Sequence, residues 1–305
     1  LGIAAGLIFF GAVNGAQTGA LSGFEAFKTI ARVNVAAGVL SFPLTALGVW
    51  HFGLRGAVWA LVASLGLNCV FNNFALRRES ARASLRYDFA GCRKEWPVLF
   101  QFSLPAFLAA VVVGPALWGC NALLARQPDV YSQLGLFSAA DKYRLLVLFV
   151  PASLFTMVLP MLSNLYGVGD LWGYRKVFQA NLKLNLGLAF LPAAAIAALS
   201  ASIMSIYGAA YRMGWPVLVI LSLAALPEAL NTLLAHPLIT ADSMWWRFAF
   251  DVLLAGTLLA FAWFLIPTWG AAGMAVAYGL AFLTTSLGLF LFIRKRHLNL
   301  QDNAA

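Results

Sequence analysis

A cluster of charges inside an apolar segment is the strongest chemical signal in this sequence. Asp141, Lys142 and Arg144 lie within one helical turn of the segment 135–160, which reads GLFSAADKYRLLVLFVPASLFTMVLP. Charges at such depth in a membrane usually face a cavity, a partner or a substrate. Asp141 and Arg144 are three positions apart and can form an ion pair that hides both charges. Lys142 is rotated by about 100° from Asp141 and stays unexplained, so we expect at least one cation here to line a polar cavity.

Glu228 is a second acidic residue in an apolar stretch. It follows Pro227, and no Lys or Arg lies within four positions of it. Burial without a partner favours the neutral form of a carboxylate, because the charged form loses its hydration. Glu228 is therefore our candidate for a proton-coupling residue. A protonated Glu that only hydrogen-bonds to a neighbouring helix is the alternative. Asp251, by contrast, follows Arg247 by one turn, and this spacing predicts a helical ion pair.

The composition indicates the scaffold that holds these residues. Hydrophobic residues make up 62% of the 305 residues and charged residues only 10%, whereas soluble domains carry about a quarter charged residues. This composition indicates a polytopic membrane protein. The three cysteines, Cys69, Cys92 and Cys120, are isolated from one another and from histidine. We therefore expect neither a disulfide framework nor a metal site.

Apolar segments of about 20 residues predict an all-α fold with nine transmembrane helices. The predicted spans are about 1–16, 30–50, 56–76, 97–124, 135–162, 178–199, 215–235, 246–266 and 270–293. A short amphipathic connector is predicted at 18–28. The organisation that follows has four parts: a partial N-terminal lobe at 1–76, a basic cytoplasmic linker at 77–96, a C-terminal lobe of six spans at 97–293, and a cytoplasmic tail at 294–305.

Basic residues indicate the orientation of the spans. If the loops after the first, third, fifth and seventh spans and the tail are cytoplasmic, they contain fifteen of the 20 Lys and Arg residues, and the opposite side contains three. This asymmetry follows the positive-inside rule. It also explains the net charge of +9 without nucleic acid as a partner. The chain is then expected to begin outside and end inside. Because it starts within an apolar run and without Met, we expect an N-terminally truncated sequence.

A short internal repeat suggests how the spans are related. GLRGAVWA at 53–60 opens the third span, and GAAGMAVA at 270–277 opens the ninth. Both keep Gly-x-x-Gly followed by Ala four residues later. Ordinary packing of small residues between helices explains the pattern equally well. If the repeat is real, spans one to three correspond to spans seven to nine. One lobe is then complete, and three spans are missing from the other.

Longer stretches resemble a known family. These are NGAQTGALSGFEAFKTIARVN at 14–34 followed by GLRGAVWAL, SLPAFLAAVVVGPALWGCNALLA at 103–125, AADKYRLLVLFVPASLFTMVLPMLS at 139–163 and IYGAAY at 206–211. With them the chain resembles the polysaccharide-biosynthesis branch of the multidrug/oligosaccharidyl-lipid/polysaccharide (MOP) exporter superfamily, and within it an O-antigen flippase of the Wzx type. The resemblance covers nearly the whole chain, but its motifs are diffuse helix-packing patterns.

The resemblance implies a fold and an activity. The fold would be a two-lobed bundle of twelve helices, of which nine are present. The activity would be the movement of an undecaprenyl-diphosphate-linked oligosaccharide from the inner to the outer leaflet of the bacterial inner membrane, by alternating access. The implied partners are this lipid-linked cargo and membrane lipids, with the polysaccharide polymerase and chain-length machinery as further candidates.

An anionic cargo gives the basic cluster a role. Arg supplies bidentate donors for phosphate and Lys a point charge, so Lys142 and Arg144, with Asp141, are the expected substrate-binding cluster. Arg126, at the outer end of the fourth span, could extend this basic path. A solvated loop residue beside Asp129 is the alternative for Arg126.

Two further pairs are candidates for the same cargo. Lys28 and Arg32, four positions apart at the cytoplasmic side, could receive the lipid diphosphate at the inner leaflet. Anchoring to anionic headgroups explains them equally well. Gln101 and Asn121 are polar positions within the fourth span that could face sugar hydroxyls.

Two other functions compete with a flippase. A multidrug or toxin exporter of the same superfamily would favour acidic residues in its cavity, whereas the deepest cluster here is net basic. A membrane enzyme of polysaccharide assembly would need a large outer loop with acid, base or metal-binding residues, and the outer loops are short. We therefore expect the protein not to be an enzyme. No GxxxxGK[ST] motif is present, and no cofactor is expected. The driving force is then a proton or sodium gradient, a partner, or downstream consumption of the product.

Overall fold

The computed structural model describes residues 2–83, 96–127, 129–240 and 243–302, and the side chains of 5–83, 96–127, 129, 131–240 and 243–295. Within these ranges the regular structure is entirely helical, as the apolar pattern predicts. The chain divides into two compact units, Leu1–Ala90 and Gly91–Ala305. Each unit is described by itself below.

The first unit is built from α1 (Gly2–Gly23) and α2 (Phe27–Arg82). α2 is not a single rod, because Gly53 interrupts it with φ 56° and ψ −137°. This conformation is close to that of the first central residue of a type II′ turn, which glycine adopts without steric cost. The chain reverses there. Thr29 Oγ1 near the start of α2 donates a hydrogen bond of 3.0 Å to Glu79 Oε1 near its end. α2 is therefore an antiparallel helical hairpin.

Amide side chains join α1 to the second arm of this hairpin. Asn14 Nδ2 donates to the carbonyl oxygen of Leu65 at 2.9 Å, and Asn72 Nδ2 donates to Asn14 Oδ1 at 3.2 Å. Such hydrogen bonds hold membrane helices together where the hydrophobic effect provides no driving force.

Helices of this unit extend beyond two of the predicted spans. The amphipathic connector predicted at 18–28 is helical as far as Gly23, where α1 ends. The first residues of the basic linker predicted at 77–96 are helical as well, because α2 continues to Arg82. Polar side chains at a helix end can stay helical in the headgroup region, so polarity alone does not mark the end of a helix. Residues 84–95 of the predicted linker lie outside the described residues.

The second unit begins with α3 (Trp96–Val98), a π-helical turn (Leu99–Ser103) and α4 (Leu104–Leu124). The following elements are α5 (Val130–Gly167), α6 (Leu171–Ala198), α7 (Ser200–Ile206), a 3₁₀ turn (Ala209–Gly214), α8 (Trp215–Leu234), α9 (His236–Thr240) and α10 (Met244–Asp302). Asp170 caps α6, because its Oδ1 accepts a 2.8 Å hydrogen bond from the backbone N–H of Gly173. α4, α6 and α8 end within one residue of the predicted spans, whereas α5, α6 and α10 extend beyond the predicted spans at other ends, α10 by as much as nine residues.

α10 repeats the reversal of α2. Gly270 interrupts α10 with φ 56° and ψ −127°, and the rings of Trp246 and Phe292, near the two ends, lie 4.7 Å apart. A Cβ on Gly273 would overlap the carbonyl oxygen of Leu265, as one on Gly56 would overlap that of Gly48. The repeated Gly-x-x-Gly motif therefore marks the same helical turn in both units. The correspondence of whole spans stays a prediction.

The core of the second unit is made of small and medium apolar side chains. Ala140, Leu218, Leu221, Ala225 and Ala262 are fully buried, and the small ones let helices approach closely. Many large apolar side chains point outward instead, among them Trp118, Phe149, Trp263 and Phe264. An outward apolar surface of this kind suits a lipid environment and not water.

Six described helices are long and apolar enough to cross a membrane. Two of them are the hairpins α2 and α10, each of which supplies two antiparallel arms. The structure is thus an all-helical, multi-pass membrane protein, as predicted. Nine spans agree with these six helices when both hairpins are counted twice and α1 is added, and the number itself stays a prediction.

Candidate functional site

Three helices of the second unit meet at one guanidinium group. Arg144 of α5 is buried, with 6% of its surface exposed. Its Nε donates to Asp141 Oδ1 at 2.7 Å, and its Nη1 forms an ion pair with Glu228 Oε2 of α8. Its guanidinium carbon lies 4.7 Å from the ring centroid of Tyr278 of α10. A buried guanidinium needs several such partners, because its hydration is lost.

The pairing of Asp141 with Arg144 confirms the expectation from their spacing. The expectation that Glu228 is unpaired is wrong, because Arg144 lies against it from another helix. The sequence shows only neighbours along the same helix, so this partner could not be found there. With Glu228 included, Asp141, Lys142 and Arg144 belong to a group of two carboxylates and two cations. The deep cluster is therefore not net basic, because the buried Arg144 is held by two carboxylates.

Lys142 differs from its neighbours in exposure. Its side chain is exposed on the second unit, whereas Arg144 is buried. None of the ion pairs among the described residues involves Lys142. Within the described structure, Lys142 therefore has no carboxylate partner, whereas Arg144 has two, as the sequence pattern suggested for Lys142.

Glu228 also lines a cavity of about 480 Å³. Its polar and charged lining includes Asn231, Tyr278, Arg247 and Asp251. The remaining wall is mostly apolar and comes from α4, α5, α9 and α10, including Ala106, Ala109, Val113, Phe155, Ile239, Leu254 and Phe282. Arg144 is not among the lining residues, whereas its ion-pair partner Glu228 is.

Polar groups at this cavity are incompletely paired. Arg247 forms a bidentate ion pair with Asp251, through Nε–Oδ2 at 2.8 Å and Nη2–Oδ1 at 2.7 Å, which confirms the predicted helical pair. Asn231 is 2% exposed, and its Nδ2 has no partner among the described residues. Arg247 Nη1 is also buried and has no hydrogen-bond partner among the described residues. Since buried polar groups are normally hydrogen-bonded, these atoms indicate a cavity that holds water or a polar ligand.

Protons and small cations are the ligands that suit this chemistry. Glu228 and Asp251 line the same cavity, and carboxylate oxygens are ligands that hard cations prefer. Groups of three or more His, Cys, Asp or Glu at metal-binding distance are not found among the described residues.

The remaining predicted residues of the second unit are not brought to this cavity. Gln101 lies in the π-helical turn, Asn121 near the end of α4 and Arg126 just after it, and all three side chains are exposed. Their predicted contacts with the cargo stay predictions. Tyr278, which touches Arg144, was missed by sequence reasoning, because a tyrosine within an apolar helix gives no signal of a charged neighbour.

In the first unit, Arg32 lines a cavity of about 340 Å³ between the two arms of α2. Arg78, Glu79 and Arg82 of the second arm line it as well. Lys28 is exposed and does not contribute to the lining. Arg32 therefore lies in a cluster of arginines from both arms, and the predicted role of Lys28 and Arg32 in receiving the cargo stays a prediction.

Solved structures establish the class of fold. A multidrug and toxin extrusion (MATE) transporter in the bent conformation superposes with a TM-score of 0.84 at 13% identity, over 99% of this chain and 68% of its own. An outward-facing multidrug resistance MATE transporter of the MOP superfamily gives 0.72 at 14% identity, over 87% of this chain and 61% of its own. The chain therefore has the helical fold of the MATE transporters of the MOP superfamily.

The names of curated sequence relatives are more specific about those proteins' function than the solved structures are. The chain is 26% identical over 265 residues to the EPS I polysaccharide export inner membrane protein EpsE of Ralstonia nicotianae, covering 84% of this chain and 58% of that protein. It is 28% identical over 227 residues to EpsE of Ralstonia solanacearum, covering 73% of this chain and 50% of that protein. The chain thus spans about half the length of these relatives. No protein-family model matches it.

Proposed function

We propose that this chain forms part of an exporter that moves a lipid-linked oligosaccharide for a surface polysaccharide across the bacterial inner membrane by alternating access. The transporter fold and the two relatives named as polysaccharide export inner membrane proteins support export. Undecaprenyl diphosphate is the proposed lipid carrier. The six spans after the basic linker form one lobe in this proposal, and the C-terminal tail is cytoplasmic.

The observation that carries the mechanism is that Glu228 both pairs with Arg144 and lines a cavity. Its carboxylate pairs with a buried guanidinium, and the residue is accessible from the cavity that it lines. A proton or cation that reaches Glu228 from the cavity competes with Arg144 for the same charge. Binding of this ion weakens the ion pair between α5 and α8, and its release restores the pair. Such an exchange couples an ion gradient to the packing of two helices.

The cargo side of the mechanism rests on Lys142. Arg144 is occupied by two carboxylates, whereas Lys142 is exposed and pairs with none of the described carboxylates. Lys142 therefore supplies the positive charge for a diphosphate or an acidic sugar. Arg144 then acts as a positioning residue that holds the segment around Lys142.

Reconstitution tests the function directly. The purified protein in liposomes is given an undecaprenyl-diphosphate-linked oligosaccharide on one leaflet, and a membrane-impermeant glycosidase reports its appearance on the other. We expect transfer that depends on the protein and is accelerated by a pH gradient. A multidrug exporter, the second candidate suggested by the MATE neighbours, would instead expel a cationic dye. Dye efflux without sugar transfer would contradict the proposal.

A further inference from the structure

The cavity between the two arms of α2 has an excess of positive charge. Arg32 lies on the first arm, and Arg78 and Arg82 lie on the second, with Glu79 as the carboxylate among them. Arg82 Nη1 contacts both Glu79 oxygens at 3.0 and 3.2 Å, and Thr29 Oγ1 contacts Oε1 at 3.0 Å. The carboxylate of Glu79 is thus hydrogen-bonded to both Arg82 and Thr29.

Two arginines are left for a ligand. The side chains of Arg32 and Arg78 are exposed, and none of the ion pairs among the described residues involves either of them. They belong to opposite arms and line the same cavity of about 340 Å³. Guanidinium groups are suited to bidentate hydrogen bonds with phosphate oxygens, and two of them match a ligand with two negative charges.

The rest of the cavity is apolar. Val33, Ala36, Phe71, Phe74 and Ala75 complete the lining, and Phe74 is 65% exposed. The arginines lie toward the open end of the hairpin, and Ala36 and Phe71 lie toward the turn at Gly53. The arrangement fits a molecule with an anionic head at the open end and a hydrocarbon tail along the arms.

The distribution of basic residues places the open end of the hairpin on the cytoplasmic side. An amphiphile bound there would have its head at the inner leaflet surface and its tail directed into the bilayer. This is the orientation of a lipid-linked cargo before it is moved outward.

We propose that this cavity binds the diphosphate head and the first isoprene units of the prenyl lipid that carries the cargo, and that Arg32 and Arg78 are its phosphate ligands. The inference rests on the proposed function for the identity of the cargo. A phospholipid headgroup has the same phosphate chemistry, but a phosphodiester carries one negative charge, whereas three arginines and one glutamate give the cavity lining a net charge of +2.

Binding measurements on the whole protein in zwitterionic lipid nanodiscs test this site. The probe is undecaprenyl diphosphate, and phosphatidylglycerol and inorganic pyrophosphate are the comparison ligands. We expect Arg32→Ala and Arg78→Ala each to weaken binding of undecaprenyl diphosphate about tenfold, as the loss of a charge-assisted contact does. Arg77→Ala is the matched control, because Arg77 is an exposed neighbour on the same arm that does not line the cavity. We expect it to change binding less than twofold.

A second pair of variants tests the apolar wall. Phe74→Ala is expected to weaken binding of undecaprenyl diphosphate and to leave pyrophosphate binding unchanged. Phe42→Ala is its control, because Phe42 is 78% exposed on the first arm and lies outside the lining. Circular dichroism and thermal unfolding of each variant show whether it folds. Where an arginine variant is unstable, the corresponding Lys substitution replaces it, and we expect it to keep part of the affinity.

Three outcomes would overturn the proposal. In the first, the double variant Arg32→Ala/Arg78→Ala binds undecaprenyl diphosphate as tightly as the unchanged protein does. In the second, the protein binds phosphatidylglycerol as tightly as undecaprenyl diphosphate. In the third, it binds pyrophosphate alone as tightly as undecaprenyl diphosphate. The transfer assay separates this site from the proposed function. Binding that depends on Arg32 and Arg78 without transfer supports the site and contradicts the flippase function. Transfer by the protein together with unaltered binding by the double variant contradicts the site alone.

Discussion

Arg144 on α5 and Glu228 on α8 form a buried ion pair although they are 84 positions apart in the sequence. Asp141 holds the same guanidinium from one turn earlier, and the ring of Tyr278 lies against it. The pair joins two helices of the second unit at a point where one partner also lines a cavity. Its removal should therefore affect both the stability of the unit and its response to ions.

Removing Arg144 should destabilise the protein strongly. Arg144→Ala leaves Asp141 and Glu228 facing each other without the cation, and breaking a buried ion pair from one side costs about 3–5 kcal/mol. We expect the midpoint of thermal unfolding of the purified protein in detergent to fall clearly. The triple variant that adds Asp141→Asn and Glu228→Gln should recover part of this loss, because it removes the uncompensated charges. Equal midpoints for the single and triple variants would contradict the argument.

Lys142 gives a cleaner test of cargo binding than Arg144. Its side chain is exposed and unpaired among the described residues, so Lys142→Ala should leave the unfolding midpoint nearly unchanged. We expect surface polysaccharide in the natural host to fall about tenfold, as the loss of one charge-assisted contact implies, while the amount of protein in the membrane holds. Lys183→Ala is the control, because Lys183 is an exposed lysine on α6. Normal polysaccharide with Lys142→Ala would exclude the proposed role.

The spacing of residues along the sequence was enough to predict two ion pairs of this site. It was not enough to predict the contacts between helices. The pairs Asp141–Arg144 and Arg247–Asp251 lie three and four positions apart, so helical periodicity alone brings them together. Glu228 could not be assigned its partner, because contacts between helices depend on how the whole bundle packs. The apolar spans were predicted for the same reason as the local pairs, since each depends only on neighbouring residues. Helix ends were placed less well, because polar residues such as those at 77–82 continue the helix beyond the apolar segment.

Glu228→Gln should uncouple transport from the pH gradient. Gln keeps the size and hydrogen bonding of a protonated Glu and cannot exchange a proton, so the competition between ion and Arg144 is lost. We expect transfer of lipid-linked oligosaccharide in liposomes to run at one rate with and without a pH gradient. Asp251→Asn is the comparison, because Asp251 lines the same cavity and is already held by Arg247 in a bidentate pair. It should lower stability and keep the dependence on the gradient. An unchanged dependence with Glu228→Gln would exclude this residue as the coupling site.

The helical turns at Gly56 and Gly273 should tolerate no side chain. A Cβ at either position would overlap a backbone carbonyl oxygen of the preceding arm, that of Gly48 or that of Leu265, and a backbone atom cannot move aside as a side chain can. We expect each Ala substitution to cost about 1–3 kcal/mol, the usual effect of overpacking, measured as a lower unfolding midpoint. Gly38→Ala and Gly256→Ala are controls on the same two hairpins, since nothing lies within 4 Å of a Cβ at either position. Alanine favours helix over glycine by about 1 kcal/mol, so these controls should keep or raise the midpoint. A fall of the same size in the controls would show that the two turns have no special steric requirement.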